Sequence, residues 1–364
     1  MPKSRMHELS DPSQYEKVAL GRRLSPRFNI AGIIGAGMDQ LPAFGKAIQD
    51  IVLPTFQTYK PLLEKNADFI RSASKETFQY GSHERQYLDV YYPPKPSIVN
   101  GRRPILLFEY GGGLVQGAKS IPPMDGLCYA NLGAFFSLNF GYTVVIADYR
   151  LMSHGAKFPS GGEDISLAIE WICKNKPGPG TEPMDLFAMG NSAGGIHLST
   201  FLLRPEFAET RGKLLTGTEI RLRGIVFLSV PFNFANIHAT RTETLREYFG
   251  DIPSHAPLGL LKAARHQQQT SLDFIRAGCR VAIINAELDP EDEILQPRDE
   301  FIAEWFQMTD QQSRAALTID WMPRHNHISP APGLGTGIAQ EEAWGCQLAS
   351  WWENIRKFPL LREA

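Results

Sequence analysis

The sequence predicts an α/β protein with a mostly parallel central sheet and helices on both faces, and three observations carry that prediction. Short apolar runs alternate with amphipathic patterns from Tyr87 to Phe358. The runs are continuously apolar, as strands covered on both faces require. The pentapeptide Gly190-Asn191-Ser192-Ala193-Gly194 sits where one such run gives way to a helical stretch, at a predicted sheet end.

In chain order, Leu41 to Ile70 reads as helix in pieces broken at Pro54 and Pro61, because proline lacks the helical N–H and crowds the preceding turn. Pro104 to Phe108 is a buried strand running into Glu109-Tyr110-Gly111-Gly112-Gly113. Ile165, Ala168, Ile169 and Ile172 fall on one helical face. Leu186 to Met189 predicts a strand and Ala193 to Leu203 the helix after it. Arg223 to Val230, Val281 to Asn285 and Leu317 to Trp321 are further strands. Trp344, Leu348, Trp351 and Ile355 mark a final helix whose tryptophans pack on the sheet.

The G-x-S-x-G spacing is the arrangement of a nucleophile elbow. A sharp strand-to-helix turn lifts a serine hydroxyl above the sheet, and the flanking glycines keep that turn free of Cβ clashes. The glycine triplet after the 104–108 strand can aim backbone N–H groups at one point, which a developing oxyanion requires. Gly112 and Gly113, with the Ala193 N–H beside the serine, are the candidate donors. A carboxylate just past the Val281 strand suits a triad acid. Asp289 is favoured because Pro290 fixes the turn after it, with Asp292 the alternative. Met-Pro-Arg-His325-Asn-His327 follows the last strand, and one histidine is the candidate base. His327 is favoured over His325. A metal at the H-x-H pair is not expected, since no third ligand lies at a matching spacing. Asp148 also ends a strand, but it precedes the serine and is assigned to ion pairing with Arg150 or its neighbours.

With Ser, Asp and His in that chain order, the sequence resembles an α/β-hydrolase of the esterase/lipase superfamily. It is similar to the hormone-sensitive-lipase-like and kynurenine-formamidase-like branches. The resemblance spans roughly Thr77 to Phe358, and Gln86–Pro93, Tyr110–Gly113, Thr143–Leu151, Phe158–Asp164, Gly190–Gly195, Leu288–Pro290 and His325–Ser329 carry it. It implies hydrolysis of carboxylic esters, less often of amides or thioesters, without a cofactor. The family pattern has histidine before its glycines. Tyr110 stands there in this chain, which raises the question of what anchors the loop.

The 364 residues, 43% hydrophobic, suffice for a large core, and 37 basic against 39 acidic side chains offer no electrostatic case for nucleic acid. Four scattered cysteines suggest reduced, buried thiols. No leader-like or membrane-spanning run is apparent, so a soluble, cytoplasmic protein is expected. Its expected partner is a small acyl substrate, and the sequence leaves monomer and homodimer both open. The glycine-rich Ile30–Met38 lacks the preceding strand of a dinucleotide loop. Residues 1–74 are expected to form a helical cap element and 75–364 the catalytic domain. Within that domain the 232–271 insertion, with His238, His255 and His266, is expected to be a lid. The competing expectations are a thioester, amide or lactone hydrolase or acyl transferase, or a hydrolase-fold protein that binds a ligand without turnover.

Overall fold

The computed structural model describes residues 37–237, 239–266, 273–308 and 311–358. Eight strands form one sheet: β1 (Ser74–Gln79), β2 (Tyr87–Tyr92), β3 (Arg103–Glu109), β4 (Thr143–Ala147), β5 (Met184–Asn191), β6 (Ile220–Leu228), β7 (Arg280–Ala286) and β8 (Leu317–Met322). Their order is β1-β2-β4-β3-β5-β6-β7-β8. β1 and β2 run antiparallel at one edge and every later pairing is parallel. All residues of β3 and β4 are buried, which is why these strands read as unbroken apolar runs. β1, exposed along nearly its whole length, carries no such signal and went unread.

The longer helices are α1 (Ile48–Lys65), α2 (Ala130–Phe140), α3 (Ser160–Asn175), α4 (Ala193–Leu203), α5 (Ala208–Thr216), α6 (Thr242–Phe249), α7 (Pro257–His266), α8 (Gln296–Trp305) and α9 (Ala339–Lys357). Two apolar clusters fill the space between helices and sheet. One holds Ile165, Ile169 and Ile172 of α3 with Leu186 and Ile225. The other lies on the opposite face, where Trp352 packs within 5.5 Å of Phe136, Tyr142 and Phe187. The final helix therefore turns Trp352, not Trp351, most deeply inward.

Two sequence expectations are corrected. α1 runs unbroken through Pro54 and Pro61. Ile51, Thr55, Tyr59 and Leu63 form its buried stripe, whereas Pro61 is exposed and Pro54 half-buried. Packing of that stripe outweighs the backbone bonds each proline removes. Asp148 does not pair with Arg150. Arg150 turns to Asp164 at 2.9 Å and Glu163 at 2.7 Å, while Asp148 faces Arg85 at 3.6 Å. The segment after β6, which lacked a clear pattern, folds as α6, a short turn of helix and α7. His238, Gln267–Ser271 and nearly all of Ile30–Met38 lie outside the described residues.

Candidate active site

The strand ends bring the named residues together. Ser192 follows β5 with φ 50° and ψ −118°, a backbone conformation held because α4 starts at the next residue and Ser192 N–H bonds to Leu228 O at 3.0 Å. No side chain fits two positions on: a Cβ on Gly194 would stand 2.2 Å from Glu109 O. The elbow thus wedges backbone against the end of β3.

From Ser192 a line of hydrogen bonds runs through His327 to Asp289. His327 Nε2 lies 3.0 Å from Ser192 Oγ, and Nδ1 lies 2.8 Å from Asp289 Oδ1. Asp289 is fully buried, and its other oxygen accepts from Ser229 Oγ at 2.7 Å, Ala286 N at 3.0 Å and Asn285 Nδ2 at 3.1 Å. Those donors satisfy a carboxylate that would otherwise be costly to bury. Ser229 and Asn285 were not singled out from sequence. Polar residues ending the apolar β6 and β7 runs are the signal that marked them.

The alternatives stand elsewhere. Asp292 is exposed in the π-helical turn Glu291–Leu295. His325 directs Nδ1 to Ser329 Oγ at 2.9 Å, and complete burial pulls its pKa down to about 4. Of the histidines in the 232–271 insertion, His255 stacks on Phe158 with centroids 4.1 Å apart and His266 sits at the end of α7.

The glycine loop lies directly over Ser192: a Cβ on Gly111 would come within 3.0 Å of Ser192 Cβ. Gly112 has φ 145°, and a Cβ there would strike Gln116 O at 1.9 Å, so only glycine fits. Among the described residues no acceptor takes the N–H of Gly112, Gly113 or Ala193. The anchor is Tyr110. Its ring stacks between Tyr149 and Tyr129, with centroids at 4.7 and 5.5 Å. Its hydroxyl donates to Asp148 Oδ1 at 2.7 Å and accepts from Arg85 Nη2 at 2.9 Å. Tyr149 in turn donates to Tyr110 O at 3.1 Å. Behind the loop, burial and the nearby Asp164 and Asp148 push the Glu109 carboxyl well above its ordinary range. Burial likewise pulls His197 of α4 down to about 3. The His197 ring is therefore neutral near pH 7.

The BD-FAE family model matches residues 88–259. A carboxylesterase of Lactobacillus plantarum WCFS1 superposes with a TM-score of 0.51 at 16% identity, over 78% of this chain and 98% of its own. A thermophilic esterase of Thermogutta terrifontis gives 0.51 at 19%, over 78% and 93%. The chain has the α/β-hydrolase fold, and the proteins it is similar to are esterases of that fold. A probable isoprenylcysteine alpha-carbonyl methylesterase of Arabidopsis thaliana is 27% identical over 218 residues. That alignment covers 58% of this chain and 46% of the plant protein, so the chain spans less than half of that relative's length. Among the described residues, no helix is long and apolar enough to cross a membrane, and no three His, Cys, Asp or Glu side chains are grouped to hold a metal.

Proposed function

We propose that the protein is a serine carboxylic-ester hydrolase working through an acyl-enzyme on a small or medium apolar substrate. The unbroken Ser192–His327–Asp289 line carries this reading. His327 takes the Ser192 proton as Oγ attacks the ester carbonyl carbon. Asp289 orients the imidazole and offsets its charge. The N–H groups of Gly112, Gly113 and Ala193 receive the oxyanion. Collapse of the tetrahedral intermediate breaks the C–O bond, and the alcohol leaves with the proton from His327. Water, deprotonated by the same ring, then frees the acid and restores Ser192.

The glycine loop supports an apolar substrate, since half-exposed Val115 follows buried Leu114 beside the proposed oxyanion donors. The 232–271 segment serves as the lid in this reading. Its Arg241 reaches Glu293 at 2.8 Å and lies against Gly113, joining the segment to the loop over Ser192. In this reading the described residues 37–73 belong to the N-terminal helical cap element, and the catalytic domain begins at 75.

The test is Ser192→Ala against a short p-nitrophenyl ester. Turnover is expected to fall by at least about ten-thousand-fold. In parallel, a fluorophosphonate should add one equivalent to the wild type and none to the variant. Retained turnover in a folded variant refutes the assignment.

A further inference from the structure

We infer that α1 is a positioning element for the proposed base, with Thr55 holding His327 in place through Asn326. This rests on the reading of His327 as the base. The loop from β8 to the short helix Pro330–Gly333 is closed upon itself around the imidazole. Asn326 Oδ1 accepts from the N–H groups of Ile328 and Ser329, both at 3.0 Å, and Ser329 Oγ accepts from Asn326 N at 3.0 Å. These bonds fix residue 326 relative to 329. They do not fix the loop relative to the sheet, and a base 3.0 Å from its hydroxyl needs both.

The outer fastenings lie on opposite sides. Toward the acid loop, Leu288 N donates to His325 O at 2.9 Å. Toward the N-terminal element, Asn326 Nδ2 donates to Thr55 Oγ1 at 2.8 Å, a contact between residues 271 positions apart. Thr55 and Asn326 are both fully buried. One turn along α1, Tyr59 donates to Glu341 Oε2 at 2.5 Å, and Glu341 Oε1 accepts from Met38 N at 2.8 Å. Asp39 pairs with Arg324, immediately before His325. The N-terminal element therefore grips the histidine loop and the start of α9 together.

The chemistry of the stripe argues against plain packing. Ile51 and Leu63 fill the same face with hydrocarbon, and valine at 55 would match the volume of threonine without burying a hydroxyl. The hydroxyl at 55 is instead spent on the one side chain that bridges residues 328 and 329 across His327. Losing its acceptor leaves a buried amide donor unsatisfied, which the loop relieves by shifting. A displacement well under an ångström at His327 is enough to degrade proton transfer.

The experiment compares wild type, Thr55→Val and Thr55→Ser, with active-site concentration set by the fluorophosphonate end point. Thr55→Val is expected to lower kcat by about tenfold or more while KM stays within about twofold, because ground-state binding does not involve the base. Thr55→Ser, which keeps the oxygen, should restore most of the loss. The low-field proton signal of the His327–Asp289 bond should shift or broaden in Thr55→Val and return in Thr55→Ser. Should Thr55→Val not fold, Thr55→Ala removes the same oxygen with a smaller side chain. A folded Thr55→Val or Thr55→Ala with wild-type kcat overturns the proposal, as does a Thr55→Ser no better than Thr55→Val. Failure of the serine-hydrolase reading would look different: the wild type itself would take up no phosphonate.

Discussion

Replacing Tyr110 by phenylalanine isolates the hydroxyl that anchors the proposed oxyanion loop. The ring, packed between Tyr129 and Tyr149 and fully buried, keeps its place. Two bonds to charged partners disappear, those to Asp148 and Arg85. Neither partner is stranded. Arg85 keeps Tyr149 O and Gly117 O, each at 2.8–2.9 Å, and Asp148 Oδ1 keeps Lys119 N. The cost is therefore below the sum of two charge-assisted bonds, about 2–3 kcal/mol. With an unfolding entropy near 2.1 cal/mol/K per residue, that corresponds to a fall of about 3–4 °C in Tm, read by calorimetry. Gly111–Gly113 follow directly in the chain, so the loop loosens over Ser192. Since one oxyanion donor is worth about two to three orders of magnitude in kcat, partial misplacement should lower kcat about tenfold at nearly constant KM. An unchanged Tm together with unchanged kcat would refute the anchoring argument. A raised KM at full kcat would mean that the loop acts in ground-state binding instead.

Two further outcomes follow from the same geometry. Gly194→Ala places a methyl 2.2 Å from Glu109 O, backbone against backbone, so a loss on the order of 3 kcal/mol is expected with activity falling at least a hundredfold; normal stability in urea unfolding would contradict it. Burial raises the Glu342 carboxyl from 4.5 to about 7, so the folded state holds a proton that the unfolded state releases: its contribution is complete below pH 4.5 and is lost as pH rises through 7, roughly 3 kcal/mol across that window. Glu342→Gln keeps an acceptor for Gly337 N, bonded at 2.9 Å, and should gain on the wild type from pH 5 to 7 and level off above it, whereas a pH-independent difference in unfolding free energy would count against the assignment.

The strands that carry the site were legible because burial on both faces leaves a continuous apolar run, and the elbow because its geometry is set within five residues. What lay beyond reach depends on neighbours in space. Ser229 and Asn285 meet at Asp289 because β6 and β7 pair in parallel with Leu228 opposite Ile284, a register that one chain read in isolation does not carry. The helix through Pro54 and Pro61 went unread for a related reason. The local penalty is written in the two prolines, and the compensating stripe of Ile51, Thr55, Tyr59 and Leu63 acquires meaning only once the histidine loop lies against it. Trp351 and Trp352 differ by 100° of helical phase, which a heptad-like spacing of apolar residues does not resolve.

The two proposed reacting groups are held by different kinds of force, and that difference predicts how each side fails. Ser192 is placed sterically: its backbone sits at positive φ, and the chain beside it at Gly194 abuts the carbonyl of Glu109 with no room to relax. Repulsion rises steeply with distance, so added volume there is punished at once while small losses elsewhere leave the hydroxyl in position. His327 is placed by hydrogen bonds that come from the acid loop on one side and from α1 on the other. Each of those can be weakened singly, and the imidazole drifts by degrees. Substitutions around the elbow should therefore divide into tolerated and abolished. Those around the histidine loop should instead form a graded series in kcat, ordered by how many of the bonds at Asn326, Ser329 and Thr55 survive.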